Sequence, residues 1–169
     1  GASTLIVSEL PEATEGFTGN IIHVRDTQAA LQSLALHYRR ASLGDLTVVG
    51  ITGSNGKTST KDFLRAVLEQ AGPVNATPGN LNNHIGLPLT VLRTGAEHRF
   101  GVWEMGMNHP GEIAPLAEIA APEAAIITNI GWAHIEFMKT RQAIADEKGE
   151  LARAVPDSGF CVMPAEDEY

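Results

Sequence analysis

Gly50-Ile51-Thr52-Gly53-Ser54-Asn55-Gly56-Lys57-Thr58-Ser59 is the stretch on which the architecture turns. The apolar run from Leu46 to Gly50 reads as a buried strand, and a helical pattern follows from about Lys57 to Gln70. Between them, Gly53 and Gly56 let the backbone turn tightly and aim amide N–H groups at an anion. The helix start adds the positive end of its dipole. A lysine at 57 can reach terminal phosphates, and the hydroxyl at 58 can ligate magnesium. Strand, glycine loop, Lys-Thr pair and helix in this order describe a phosphate-binding loop for ATP. The common G-x-x-x-x-G-K-[ST] spacing would put glycine at 51, where this chain has Ile51, so only the shorter Gly53-x-x-Gly56-Lys57-Thr58 core is intact. A glycine turn before a solvated lysine is the bland alternative, and the ordered run of features disfavours it.

Downstream, strands alternate with helices. Val74 to Thr77 reads as a strand, Pro78 to Gly86 as a polar loop, and Leu87 to Leu92 as a short helix. Phe100 to Glu104, Ala124 to Thr128 and Gly159 to Met163 read as strands, with helices over Glu112–Ala120 and Thr140–Ala154. Such alternation predicts an α/β fold, a mostly parallel sheet with helices on both faces. Upstream, Thr4–Ser8 and Ile21–Val24 read as short strands separated by a turn-rich segment. Asp26 or Thr27 then caps a helix in which Ala30, Leu31, Leu34 and Tyr38 form the apolar stripe, ending near Arg40. Ser42-Leu43-Gly44-Asp45 breaks that helix, and the expected division is 1–44 and 45–169. The last strand lies close to Tyr169 with no element visible to close the sheet, which leads us to expect an excerpt of a longer protein.

With 169 residues, 43% of them apolar, the chain can build a packed core. Its formal charge of −8 disfavours general attraction to nucleic acid or anionic membranes. No apolar run approaches bilayer length, and no signal-peptide pattern opens the sequence. The single cysteine, Cys161, can form no internal disulfide and reads as a packing residue in a buried strand. A reducing cytoplasm and a monomer are expected.

Three further residues are candidates on position alone. Glu104 ends a strand at the carboxyl edge of the sheet, where a Walker-type magnesium site wants a carboxylate, though a solvated strand-end glutamate would look the same. His134 follows the Ala124–Thr128 strand and could be structural; Lys148 sits in an otherwise acidic and apolar helix and could be a solvated lysine.

The stretches Gly50–Ser59, Gly79-Asn80-Leu81-Asn82-Asn83-His84-Ile85-Gly86-Leu87-Pro88, Glu104-Met105-Gly106-Met107-Asn108-His109-Pro110-Gly111-Glu112-Ile113 and Thr128-Asn129-Ile130-Gly131-Trp132-Ala133-His134-Ile135-Glu136 together resemble the ATP-dependent Mur ligases of peptidoglycan synthesis. The Asn-Leu-Asn-Asn and Asn-His-Pro-Gly-Glu stretches point to the MurF branch, which joins D-alanyl-D-alanine to UDP-MurNAc-tripeptide. The resemblance runs from about Leu46 to the C-terminus; less specifically, Thr4 to Arg40 looks like the end of the family's UDP-sugar-binding domain. It implies that Gly53, Ser54, Asn55, Gly56, Lys57, Thr58 and Ser59 surround the nucleotide, with Lys57 on the β- and γ-phosphates. It also implies two magnesium ions, the first held by Thr58 and Glu104, the second by Glu104, His134 and a carbamylated Lys148. Lys57, His134 and Lys148 become the catalytic candidates. Asn82 and Asn83 line a substrate cleft or make turns; Asn108 and His109 face the site or cap the helix near Glu112. Met107 and Met138 stand where the family favours a small residue and glycine. The implied substrates are ATP, UDP-MurNAc-tripeptide and D-Ala-D-Ala, joined through an acyl phosphate. This chain alone is expected to bind nucleotide without completing ligation. A MurE-like or folylpolyglutamate synthase-like ligase, or a non-catalytic nucleotide-binding fragment, remain the alternative readings.

Overall fold

A computed structural model describes residues 2–10 and 16–169; the remaining members of the 1–44 segment, Gly1 and 11–15, lie outside it. Strand β1 (Thr4–Val7) pairs in parallel with β2 (Asn20–His23) as a separate two-stranded sheet. Helix α1 (Thr27–Ser42) starts where Asp26 accepts the N–H groups of Gln28 and Ala29 at 2.8 and 3.0 Å, orphan donors that a helix start must satisfy.

Next come β3 (Thr47–Thr52), α2 (Lys57–Leu68), β4 (Val74–Ala76), α3 (Gly86–Leu92), β5 (Phe100–Glu104) and α4 (Ile113–Ala120). The chain continues through β6 (Ala124–Ile127), α5 (Ile135–Met138), α6 (Arg141–Arg153) and β7 (Phe160–Val162). The strands β4-β5-β3-β6-β7 form one sheet with every neighbouring pair parallel. Helix α2 packs on β3, β4 and β5. On the opposite face α3, α4 and α6 pack along the sheet and on one another, and α1 lies outside them against α3 and α4. Parallel strands covered in this way are buried on both sides, which is why β3 and β5 read as nearly continuous apolar runs. Val48, Ile51, Val102 and Trp103 are fully enclosed, and the Trp103 indole N–H donates to Asn75 Oδ1 at 2.9 Å.

The elements match the sequence reading to within a few residues, with four corrections. Strand β3 runs on to Thr52, because its pairing with β6 continues that far, so the glycine loop leaves directly from the carboxyl edge. In α1, Leu34 is 48% exposed, whereas Ala35 and Arg39 are buried. The helix turns its 35/39 line inward because Arg39 has carbonyl partners there. Strand β7 is not buried: it is the sheet's edge, with Phe160 65% and Val162 51% exposed. Only Cys161, on the opposite face, packs against the core, and burial raises its thiol pKa. It is no activated nucleophile. Helix α5 was absent from the sequence reading, being a single turn too short to show a period. No helix among the described residues is long and apolar enough to cross a membrane.

Candidate active site

The site grows from the turn between β3 and α2. Gly53 has φ 149°, and a side chain there would bring its Cβ to 1.8 Å from Thr128 Oγ1. Gly56, at φ 80°, occupies the left-handed region just before the helix, so both glycines are required by conformation. Lys57 opens α2 and folds back so that Nζ donates to the Gly53 carbonyl at 2.9 Å. Thr58 and Ser59 follow in the same first turn, and the backbone N–H groups of Ser54 and Asn55 turn towards Asn129.

Glu104 ends β5 beside this turn and is 2% exposed. Thr58 Oγ1 donates to its Oε2 at 3.0 Å and Asn82 Nδ2 to its Oε1 at 2.7 Å. A buried carboxylate is tolerable only when its lone pairs are used in this way. Its own N–H donates to Thr77 Oγ1 at 2.8 Å, which fixes the strand end. Asn82 is held in turn by the Gly106 N–H, 2.8 Å from its carbonyl oxygen. Asn83 makes the turn into α3: its Oδ1 accepts the N–H groups of Ile85 and Gly86 at 3.1 and 2.9 Å.

A cavity of about 330 Å³ opens above these residues, and Lys57, Asn82, Asn83, His134, Lys148 and Glu112 all face it. His134 adopts φ 65° as it starts α5, uncommon for a non-glycine residue, and this turns the chain back over the cavity. Burial pushes the His134 imidazole below its ordinary pKa, and the charges of Lys148 and Lys57 add to the effect against Glu112 and Glu136. A neutral ring at pH 7 keeps a lone pair for a metal ion. Lys148 is 2% exposed. Burial first, and then the neighbouring Lys57, lower its pKa to about 8, with Glu147 opposing.

Sequence reasoning passed over two acidic residues here. Glu147 is buried and accepts the N–H groups of Gly111 and Ile113 at 2.7 and 2.8 Å, bolting α6 to the start of α4. Glu112 accepts the Asn108 N–H at 2.6 Å and lies 3.2 Å from His109 Nδ1, closing the Asn108–Glu112 loop. Burial raises its pKa, but the bonds from Asn108 and His109 outweigh that and leave it below the usual value. A glutamate four positions after Asn108 was the available signal; Glu147 had none, since its partners lie across the α4–α6 contact. Met107, noted in the sequence as a departure, is buried and also lines the cavity.

Thr58, Glu104, His134 and Lys148 therefore lie around one edge of the sheet. The exposed Thr58 hydroxyl bonds the buried Glu104 carboxylate, and His134 and Lys148 stand on the cavity wall with Lys57. Among the described residues no three histidine, cysteine or carboxylate side chains gather as a ready metal cage. The Thr58–Glu104 pair suits one hard cation. A second cation beside His134 would need Lys148 to present oxygen rather than an ammonium group.

The uncharged preference of Lys148 has a measurable consequence. Its folded pKa lies below the ordinary value of 10.5, so the unfolded chain binds more protons between about pH 8 and 10.5. The cost to folding is complete below pH 8 and fades as pH rises through that window. Lys148→Met is expected to stabilise the metal-free protein in carbonate-free buffer by up to about 3 kcal/mol at pH 7. The gain should shrink towards zero near pH 10.5. Denaturant melts at both pH values check it; equal gains at both would show that charge is not the cause.

Comparison with known proteins agrees with this geometry. Residues 51–169 match the model of the Mur ligase middle domain. The UDP-N-acetylmuramoyl-tripeptide–D-alanyl-D-alanine ligase of Treponema pallidum is 46% identical across 99% of this chain and 37% of the relative. That of Bacillus subtilis is 47% identical across 84% of this chain and 31% of its own length. Among solved structures, MurF from Acinetobacter baumannii superposes with a TM-score of 0.89 at 36% identity, covering 96% of this chain and 35% of that one. MurF from Thermotoga maritima, solved in complex with ADP, gives 0.87 at 35% identity, over 99% of this chain and 38% of that one. The chain thus spans only 31% to 38% of these proteins' lengths. With the middle-domain match running from Ile51 to Tyr169, the chain belongs to the Mur ligase family.

Proposed function

We propose that this chain is the nucleotide-binding part of an ATP-dependent amide ligase that joins D-alanyl-D-alanine to UDP-MurNAc-tripeptide. The observation that carries the reading is the convergence of Lys57, Asn82, His134 and Lys148 on one cavity at the carboxyl edge of a parallel sheet, where such folds bind ligands. Identity of 46% to 47% with ligases of that name supports the choice of branch.

Lys57, freed from the Gly53 carbonyl, places its ammonium group on the β- and γ-phosphates, and the first turn of α2 adds its N–H groups and dipole. Thr58 and Glu104 would hold one magnesium ion, and Glu104, His134 and a carbamylated Lys148 would hold a second. Magnesium, when bound, offsets phosphate charge as the γ-phosphoryl group moves to the terminal carboxylate of the tripeptide. The Lys148 amine, with its pKa lowered to about 8, exists in part as the neutral nucleophile that carbamylation requires. A carboxylate is a poor acyl donor because its leaving group would be oxide. As an acyl phosphate it releases phosphate when the dipeptide amine attacks. Asn82 and Asn83 border the path along which the acceptor reaches the nucleotide.

Residues 1–44 are assigned to the end of the UDP-sugar-binding domain, in keeping with their separate two-stranded sheet, and 45–169 to the first part of the ATP-binding domain. We place the reaction in the cytoplasm, carried out by a monomer, and expect this chain alone to bind nucleotide without completing ligation. Phosphate release from ATP and UDP-MurNAc-tripeptide by the intact ligase, measured with each candidate amine, tests the assignment. D-Ala-D-Ala should support turnover, and a free diamino acid should not. The reverse pattern would move the protein to a sister branch.

A further inference from the structure

Between β6 and α5 the segment Thr128–Gly131 lies beside the glycine loop and bonds it at Thr52, Ser54 and Asn55. The Asn129 carboxamide oxygen accepts the N–H groups of Ser54 and Asn55 at 3.1 and 3.0 Å, and its backbone carbonyl also accepts from Ser54 at 3.1 Å. Thr128 Oγ1 donates to the Asn55 carbonyl at 2.6 Å. In return, the Gly131 N–H donates to Ser54 Oγ at 2.8 Å. The far end of the segment is tied down as well, since Arg141 Nη2 donates to the Ile130 carbonyl at 2.8 Å.

A nucleotide loop works through the directions of its N–H groups. The amides of Ser54 and Asn55 are already taken from within the protein. Those of Gly56, Lys57, Thr58 and Ser59 precede the first intrahelical bond, made by Thr60 to the Gly56 carbonyl at 2.9 Å. They are the donors left for phosphate. We propose that Asn129 is a positioning residue for this loop: by occupying the Ser54 and Asn55 amides it holds the Gly56–Ser59 donors and Lys57 in the geometry that grips the β-phosphate. Asn129 itself makes no phosphate contact. The proposal rests on the nucleotide reading above.

The test measures the dissociation constant of Mg-ADP by calorimetry on wild-type, Asn129→Ala and Thr128→Val proteins, with the melting temperature of each without nucleotide. Asn129→Ala removes the side-chain acceptor shared by both amides, leaving Asn55 without its Asn129 partner and Ser54 with only the backbone carbonyl at position 129. Thr128→Val keeps the side-chain shape but loses the bond to Asn55. For Asn129→Ala we expect affinity to fall about ten- to a hundred-fold, the range that small misplacements of a binding group produce. Thr128→Val should fall in the same direction by less. In the intact ligase KM for ATP should rise, while KM for D-Ala-D-Ala stays within two-fold. A merely structural asparagine would lower the melting temperature and leave the affinity of the folded fraction unchanged, and that result overturns the proposal. Should Asn129→Ala fail to fold, undiminished Mg-ADP affinity in Thr128→Val overturns it equally. Absence of Mg-ADP binding by the wild-type protein would instead refute the nucleotide reading.

Discussion

Lys57→Ala is expected to abolish measurable Mg-ATP binding and to lower turnover of the intact ligase by about a thousand-fold, as losing a preorganised charge at a reacting phosphate does. Among the described residues the ammonium group has one protein partner, the Gly53 carbonyl. Nothing structural depends on that bond, so the melting temperature should hold. It should even rise slightly near pH 7, because Lys57 is one of the charges that depress the pKa of Lys148 and of His134. Lys57→Arg should not restore function, since a planar guanidinium does not match a compact ammonium that folds back into a tight loop. Nucleotide titration and a thermal melt on the same sample separate the two effects. Loss of binding together with a large loss of stability would mean that the lysine holds the loop together and does not hold phosphate.

Arg39→Leu should be the most destabilising single change away from the cavity, costing about 3–5 kcal/mol. The guanidinium is buried and donates to the carbonyls of Ala120, Leu43, Leu46 and Ala121, and it pairs with Glu123 at 3.1 Å. Glu123 also accepts the Val48 N–H from β3. One side chain therefore joins the end of α1, the end of α4 and the start of the central strand. Leucine fills much of the volume but removes the guanidinium donors of those carbonyls, of which Leu43 keeps the Leu46 N–H at 3.2 Å. Arg39→Lys should recover only part of the loss, because one ammonium group cannot span acceptors spread across several elements. Chemical denaturation measures both variants. A loss below 1 kcal/mol in Arg39→Leu would show that water takes over the carbonyls.

What the sequence disclosed follows from how local each signal is. The glycine loop and its flanking strand and helix were legible because their chemistry is consecutive along the chain. Glu104 could be placed because a glutamate closing the apolar run Phe100–Trp103 must lie at a strand end. The buried side of α1 was misread through Leu34, because Arg39 faces inward only when α4 and β3 offer it carbonyls. Strand β7 looked buried because an apolar run cannot say whether a sheet continues beyond it; its outer face is open. Glu147 gave no sign of its role, and Asn129 stood only as one residue of the stretch that carries the family resemblance. Each acts on backbone N–H groups far away in sequence, the former at Gly111 and Ile113, the latter at Ser54 and Asn55. Backbone partners leave no trace in residue identity.

A structure of this protein with magnesium and a non-hydrolysable ATP analogue would decide whether the β3–α2 turn is a nucleotide site. The β-phosphate should rest on the Gly56–Ser59 amides with Lys57 against the γ-phosphate, and the γ-phosphate should point into the cavity bordered by His134 and Lys148. A nucleotide bound elsewhere, with Lys57 still on the Gly53 carbonyl, would contradict it.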